Sequence, residues 1–344
     1  MRHFSFGLLW VLAACNGDDK GGDTGAVDDT GTPTDTSDTD TNDTDTDTVD
    51  TSVPCETVAI ATTPDDGTTD FYYRDTLGVT FSDDASGATI KLLDGAGAEV
   101  ASTINWGDGN FQAEVVPNEP LDGDAAYQLH IEVCEYTGDV LFTTSSYGLP
   151  LAEEAAGLVG STYVLDLSKA DILQPEGLGY LLAAYLTEPI LLGVDHADES
   201  VIGLVGAQGY KKNDGTYKQV GAEVWLFPDA DFTSSPYFAA STPAISIDYS
   251  DVAIPIENFS LAGTFAADGS RIGGGWASGL GDTRNMGPLL ALGDEPDAVC
   301  TLMSALSLSC EACADGEPYC VFLEVEFDEA PLAEGLTIDT TVGS

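Results

Sequence analysis

Phe111-Gln112-Ala113-Glu114-Val115-Val116 and Tyr127-Gln128-Leu129-His130-Ile131-Glu132-Val133 alternate apolar and polar residues with a period of two. That period puts one apolar face on an extended chain, the mark of a half-buried β-strand. Working outward, Val58 to Ala61, Leu77 to Phe81, Thr89 to Leu93 and Leu141 to Thr143 read the same way. Turn residues separate them at Asp65-Asp66-Gly67, Asp94-Gly95-Ala96-Gly97 and Asp122-Gly123. Many short strands with regular turn signals predict a β-sandwich over residues 55–150.

The remaining residues, 151–344, keep the β character with a few helical breaks. Strands are predicted at Thr162 to Leu167, Ile190 to Val194, Val201 to Ala207, Gly221 to Phe227, Ala244 to Tyr249, Phe259 to Phe265, Ser270 to Trp276 and Val321 to Phe327. Pro175-Glu176-Gly177 opens a stretch in which Leu178, Leu181, Leu182 and Tyr185 recur at helical spacing, so one short helix is predicted there. A second helical stretch covers Ala298 to Leu306. Antiparallel strands in this number must close or stack to protect their edges, and a β-barrel or second sandwich is expected. Gly273-Gly274-Gly275 and Gly279 are read as points of sharp sheet curvature. A phosphate-binding glycine loop is the rival reading, but the run follows no βα pattern and has no Lys. The fold class is therefore all-β, a sandwich followed by a larger antiparallel barrel or sandwich. A closed barrel of this size can also enclose a small apolar ligand.

Charge narrows the partners. Ten Lys plus Arg against 59 Asp plus Glu leave a formal net charge of −49, which repels nucleic acid and anionic lipid headgroups. Setting aside the twelve Asp of residues 16–54 together with Lys20 and Arg2 leaves 47 acidic against eight basic residues, so the folded part is itself strongly acidic. Solubility accounts for that excess, and Ca²⁺, which takes six to eight oxygen ligands, is retained as a candidate partner. From Asn16 to Ser52 the chain is nearly all Asp, Thr, Gly and Ser, with no apolar surface to bury; residues 15–54 are expected to be a disordered acidic spacer. The Asp residues spaced two or three apart from Asp35 to Asp47 lack the turn Gly and distal Glu of a tight Ca²⁺ loop.

Residues 1–14 set the address. Met1-Arg2-His3 is a short basic start, and Phe4 to Ala14 is an uncharged run too short to span a bilayer but long enough for a signal-peptide core. It ends in Leu12-Ala13-Ala14-Cys15, which resembles the lipobox of bacterial lipoproteins. The resemblance implies that Cys15 is acylated on its thiol and becomes the first residue of the mature chain, with the membrane as its partner through that lipid. Two or three acyl chains give stable anchoring where one does not. Asn16, rather than Asp, follows Cys15; in the sorting rule of such lipoproteins this implies the outer membrane or cell surface of a Gram-negative bacterium.

The sandwich region resembles the bacterial Ig-like domain first described in surface-layer proteins. The matching residues are Pro64-Asp65-Asp66-Gly67, Val79-Thr80-Phe81-Ser82, Ile90-Lys91-Leu92, Pro117 with Leu121, Asp122-Gly123 and Tyr127-Gln128-Leu129, then Phe142-Thr143-Thr144. The resemblance implies a spacer or adhesive module. The distal region is assigned to no family from its sequence.

Export makes disulfides the reading for Cys55 with Cys134, and for Cys300, Cys310, Cys313 and Cys320, among which three pairings are open. A zinc site is disfavoured by compartment and because only one close Cys pair exists. Chemistry is sparse. His130 alternates with apolar neighbours and should point outward; His196 lies beside Asp195, Asp198 and Ser200, but adjacent residues seldom face one another and no Gly-x-Ser-x-Gly elbow occurs. Paired carboxylates for glycoside hydrolysis have candidates everywhere and a signal nowhere. The expectation is a lipid-anchored, non-enzymatic surface protein without cofactor or metal, of binding, adhesive or structural role. A carrier of a small hydrophobic ligand and a secreted hydrolase of unrecognised type are the alternatives.

Overall fold

Burial follows the predicted alternation. In the computed structural model, which describes residues 55–177, 188–250 and 252–341, Tyr127, Leu129, Ile131 and Val133 are buried while Gln128, His130 and Glu132 turn outward. They belong to β7 (Ala126–Val133) of a sandwich built from β1 (Ala59–Thr63), β2 (Thr68–Phe71), β3 (Leu77–Phe81), β4 (Thr89–Asp94), β5 (Ser102–Trp106), β6 (Gln112–Pro117) and β8 (Tyr136–Thr144). One sheet runs β1-β3-β6-β5 and the other β2-β8-β7-β4, with β2 parallel to β8 and the other pairs antiparallel. Leu77, Leu92, Val115, Leu129 and Ile131 are fully enclosed between the sheets. Such side chains each contribute roughly 1.5–3 kcal/mol by leaving water.

The distal part contains β9 (Thr162–Leu165), β10 (Asp171–Gln174), β11 (Ile190–Ala197), β12 (Val201–Lys211), β13 (Tyr217–Leu226), β14 (Ala230–Asp231), β15 (Tyr237–Tyr249), β16 (Val252–Phe265) and β17 (Arg271–Asp282). Helix α1 (Ala298–Ala305) and β18 (Cys320–Pro331) follow. Its sheets run β10-β18-β17-β16-β15 and β13-β12-β11-β9, with β14 added to β12. They are joined on one side, where Tyr163 bridges Leu332 and the Ala333 N–H donates to the Thr162 carbonyl at 2.7 Å, forming a half-barrel. Its core holds a ring cluster in which Phe265 meets Tyr163, Phe232 and Phe238 at centroid distances of 5.3, 6.0 and 5.0 Å. The chain is thus mainly β with few short helices. The helix predicted over Leu178 to Leu186 lies outside the described residues, as do Cys15 and residues 1–54; the predicted helix at Ala298 is α1.

The sandwich and the half-barrel lie in one compact unit. The Tyr72 and Thr264 hydroxyls are hydrogen-bonded at 2.7 Å, and Arg271 Nε donates to Tyr147 Oη at 3.0 Å. The Arg74 guanidinium sits 3.9 Å from the Tyr237 ring centroid. This contact revises the reading of the glycine run. A Cβ on Gly273 would land in the ring of Tyr147, and one on Gly274 in the ring of Tyr72. The β16–β17 register does shift between Ala262 and Thr264, and Gly274 has φ +55°, so a bend is present. Close approach of two sandwich tyrosines is an additional reason for glycine at both positions.

Candidate ligand cavity

The inner faces of β15 to β18 are apolar by alternation, and α1 packs across their far end. Val299 and Met303 of α1 are buried against Val321 of β18. Between helix and sheets lies a cavity of about 170 Å³. Ile247 and Ile256 line it from β15 and β16, Val321, Leu323 and Val325 from β18, and Leu302 and Met303 of α1, with Leu306 just past the helix end, complete the lining. Leu165 and Ile190 reach it from the second sheet. On β17 the lining residues Ala277, Gly279 and Gly281 contribute almost no side chain; Ile256 and Leu323 close in over the two glycines.

The helix wall is strapped by disulfides. Cys300 of α1 is bonded to Cys310, and Cys313 to Cys320 at the head of β18. Of the three possible pairings, the structure therefore has the sequential one. Cys55 and Cys134 are each disulfide-bonded as well. Arg284 ties the end of β17 to the cysteine loop, its Nη2 lying 2.6 Å from Asp282 and its Nη1 2.5 Å from Asp315. Burial works to raise the Asp282 carboxyl, but the bonds from Arg284 outweigh it and hold it below the usual carboxylate range. The Ala314 N–H donates to Glu257 Oε2 at 2.6 Å, a further tie between the loop and β16. Glu257, Cys313 and Cys320 come within 4.8 Å of one another, yet both sulfurs are consumed by their shared disulfide and supply no thiolate for a metal.

Glu188 and Asp248 are the acidic residues among the described lining. Gln208 of β12 fixes this corner. It pairs with Ile190, its side-chain amide donates to the Asp248 carbonyl at 2.7 Å, and its Oε1 accepts from the Asp248 N–H at 3.0 Å. The Gly209 N–H donates to the Pro189 carbonyl at 2.8 Å, which brings Glu188 to the same end. Glu223 is near enough to belong to this field: desolvation raises its carboxyl first, and the Asp248 charge adds to the rise.

The histidines are elsewhere. His130 faces outward and bonds Asp139 at 2.6 Å and Glu132 at 3.2 Å; those bonds, from Asp139 first, raise its pKa. His196 lies flat over Gly203, between Asp195 at 3.2 Å and Asp229 at 3.1 Å. Ser200 Oγ donates to Asp198 at 2.9 Å and is not presented to the imidazole. The sequence reading named neither Glu188 nor Asp248, and it gave the small residues of β17 no role in a site.

No family model matches this chain, and no curated protein does. Among solved structures, selenomethionine PcoC, a copper resistance protein from Escherichia coli, is similar at 17% identity over 26% of this chain and 99% of its own, with a TM-score of 0.23. An L,D-transpeptidase from Mycobacterium tuberculosis H37Rv is similar at 15% identity over 47% of this chain and 78% of its own, with a TM-score of 0.21. The S-layer protein rSbsC is similar at 8% identity over 78% of this chain and 50% of its own, with a TM-score of 0.21. At TM-scores this low, none of them assigns a function.

Proposed function

We propose that the chain is an exported surface lipoprotein, anchored through Cys15, whose distal half-barrel binds a small apolar ligand. The observation that carries the binding role is the apolar cavity of about 170 Å³ between α1 and the sheets. A cavity of roughly 150 Å³ in another protein holds benzene, so the fitting ligand is a single ring or a chain of about six carbons. The disulfide-bonded state of all six cysteines in the described residues supports an oxidising compartment, where such bonds persist. Among the described residues no helix is long and apolar enough to cross a membrane; what supports the anchor is the resemblance of Leu12-Ala13-Ala14-Cys15 to a lipobox. The sandwich then acts as a spacer that carries the cavity outward from the acidic stalk.

n-Hexanol tests the cavity by calorimetry. Burying its chain at about 0.8 kcal/mol per methylene gives a dissociation constant on the order of 0.1–1 mM. Ala277→Leu, which projects three extra carbons into the space, should abolish the saturable signal while circular dichroism stays unchanged. Wild-type protein without saturable binding would overturn the reading. Anchoring is tested by growing cells with a labelled fatty acid: wild type takes up label and Cys15→Ala does not. Equal labelling of both would remove the anchor.

A further inference from the structure

One side of the cavity is a helix rather than a strand, and a disulfide ties that helix down. We infer that Cys300–Cys310 is a redox latch on the cavity, an inference that rests on the ligand-binding reading above. Intact, the bond keeps α1 seated against the sheets and the ligand retained. Opened by a dithiol reductant, it lets the C-terminal half of α1 move away and the ligand leave.

The helix depends on what lies outside it. α1 has eight residues, and its N-cap residue Asp297 makes no side-chain bond to it. Isolated helices shorter than roughly 12–15 residues are marginal in water, so α1 is ordered by its contacts and its covalent tie. The contacts are few: Val299 and Met303 are its buried residues, packed on Val321 with Met286, Leu290, Leu308 and Leu323 around them.

The tie is placed at the cavity wall. Val299, Leu302, Met303 and Leu306 all line the cavity, and Cys300 lies within that stretch. Thr283, a lining residue just past β17, has its Oγ1 3.5 Å from Cys300 Sγ and donates its proton to the Tyr319 carbonyl at 2.6 Å. Cys300 and Cys310 are ten positions apart, so the closed loop contains three of the lining residues, Leu302, Met303 and Leu306.

Access separates this bond from the one beside it. Cys300 and Cys310 are partly exposed, whereas Cys313 and Cys320 are 4% and 0% exposed. A thiolate must reach a sulfur to open a disulfide, so Cys300–Cys310 reacts before Cys313–Cys320. The second bond also closes a turn that the backbone holds. Glu311 and Cys320 exchange N–H to carbonyl bonds at 2.7 and 3.1 Å, and the Cys313 N–H donates to the Glu317 carbonyl at 2.8 Å. The head of β18 therefore stays in place while the helix is released. In the exchange, one thiolate of the dithiol attacks a sulfur of Cys300–Cys310 to form a mixed disulfide, and its second thiol then displaces the remaining cysteine. The reductant leaves as a disulfide, and its two electrons and two protons end on the Cys300 and Cys310 thiols.

The test uses the full mature chain carrying Cys15→Ser, n-hexanol as ligand and dithiothreitol as reductant, with iodoacetamide labelling of separate aliquots read by mass spectrometry. Apparent affinity scales with the fraction of chains whose helix is seated, so hexanol binding should weaken about tenfold or more in step with label at Cys300 and Cys310. Over that range Cys313 and Cys320 should stay unlabelled, the far-ultraviolet circular dichroism should hold its β signature, and reoxidation should restore binding. Cys55 and Cys134 are exposed and should label as well; a Cys55→Ser with Cys134→Ser variant should lose hexanol over the same range, which separates their reduction from the latch. Full hexanol affinity with Cys300 and Cys310 labelled overturns the latch and leaves the cavity reading standing. So does label that reaches Cys313 and Cys320 first, or that reaches only Cys55 and Cys134. Failure of hexanol to bind the oxidised chain overturns the cavity reading and the latch with it.

Discussion

Gly273 offers a direct measure of how the sandwich is held to the half-barrel. Its backbone is outside the left-handed region, so alanine there costs nothing in conformation. In an open strand Gly→Ala would even stabilise by about 0.5–1 kcal/mol through lost chain entropy. Here the added methyl would occupy the ring of Tyr147, whose hydroxyl is held by Arg271 at 3.0 Å and cannot swing away without losing that bond. Overpacking of this kind costs about 1–3 kcal/mol. The expectation is therefore a double-mutant cycle with large coupling. Gly273→Ala should destabilise by about 1–3 kcal/mol in the native background, and be neutral or slightly stabilising once Tyr147→Ala has removed the ring. Urea unfolding of the four forms, analysed by linear extrapolation, measures all the terms. If the two costs add to within about 0.5 kcal/mol, the ring and the glycine do not act together and curvature alone accounts for Gly273.

Three further outcomes follow from the geometry. His130 has a raised pKa in the fold, so its pairing stabilises fully below the unfolded imidazole value near 6.5 and is lost as pH rises through the folded value; the difference in unfolding midpoint between wild type and His130→Gln should shrink over that window. Phe265→Ala, at the centre of the distal ring cluster and fully buried, should cost about 3–5 kcal/mol in denaturant unfolding. Replacing Cys300 and Cys310 by Ser opens a loop of ten residues and should cost about 2–3 kcal/mol in the chain-entropy account; because Cys300 is on α1, hexanol binding should weaken along with stability.

How much of this could be read beforehand depended on whether a residue's partner was local. β7 was legible because its alternation is complete within eight residues. β2 and β5 were not: Thr68-Thr69-Asp70-Phe71 and Ser102-Thr103-Ile104-Asn105-Trp106 lie at sheet edges, mostly exposed, and carry too few apolar residues to show a period. β16 was read from Phe259 onward, whereas pairing with β15 extends it back to Val252 through Pro255. A proline inside a run signals an interruption, and only the neighbouring strand shows that the run continues. The docking role of Gly273 was invisible for a sharper reason, since Tyr147 is more than a hundred residues away and nothing near Gly273 records it.

The cavity did leave a trace in sequence. Along β17, Gly275, Ala277, Gly279 and Gly281 recur at every second position, so one face of the strand bears nothing larger than a methyl group. A face so depleted must be approached by something. Phe327 comes against Gly275, where a Cβ would strike its ring, and Ile256 against Gly279, where a Cβ would stand 2.5 Å from Cγ2. Such neighbours fill part of the space that the small residues leave. Leu323 of β18 covers Gly281 in the same way, where a Cβ would stand 2.9 Å from Cδ1, and beyond these side chains lies α1, held by Cys300–Cys310 and by the packing of Val299 and Met303 on Val321. A helix is a straight body of fixed diameter laid over a twisted sheet and cannot follow its surface as single side chains do. The unfilled remainder lies between them, and its apolar walls follow from the inward-facing residues of β15 to β18. Lengthening the side chain at Ala277 therefore perturbs the cavity before it perturbs the sheet. For that reason Ala277→Leu, rather than a substitution at Gly275 or Gly279, separates ligand binding from folding.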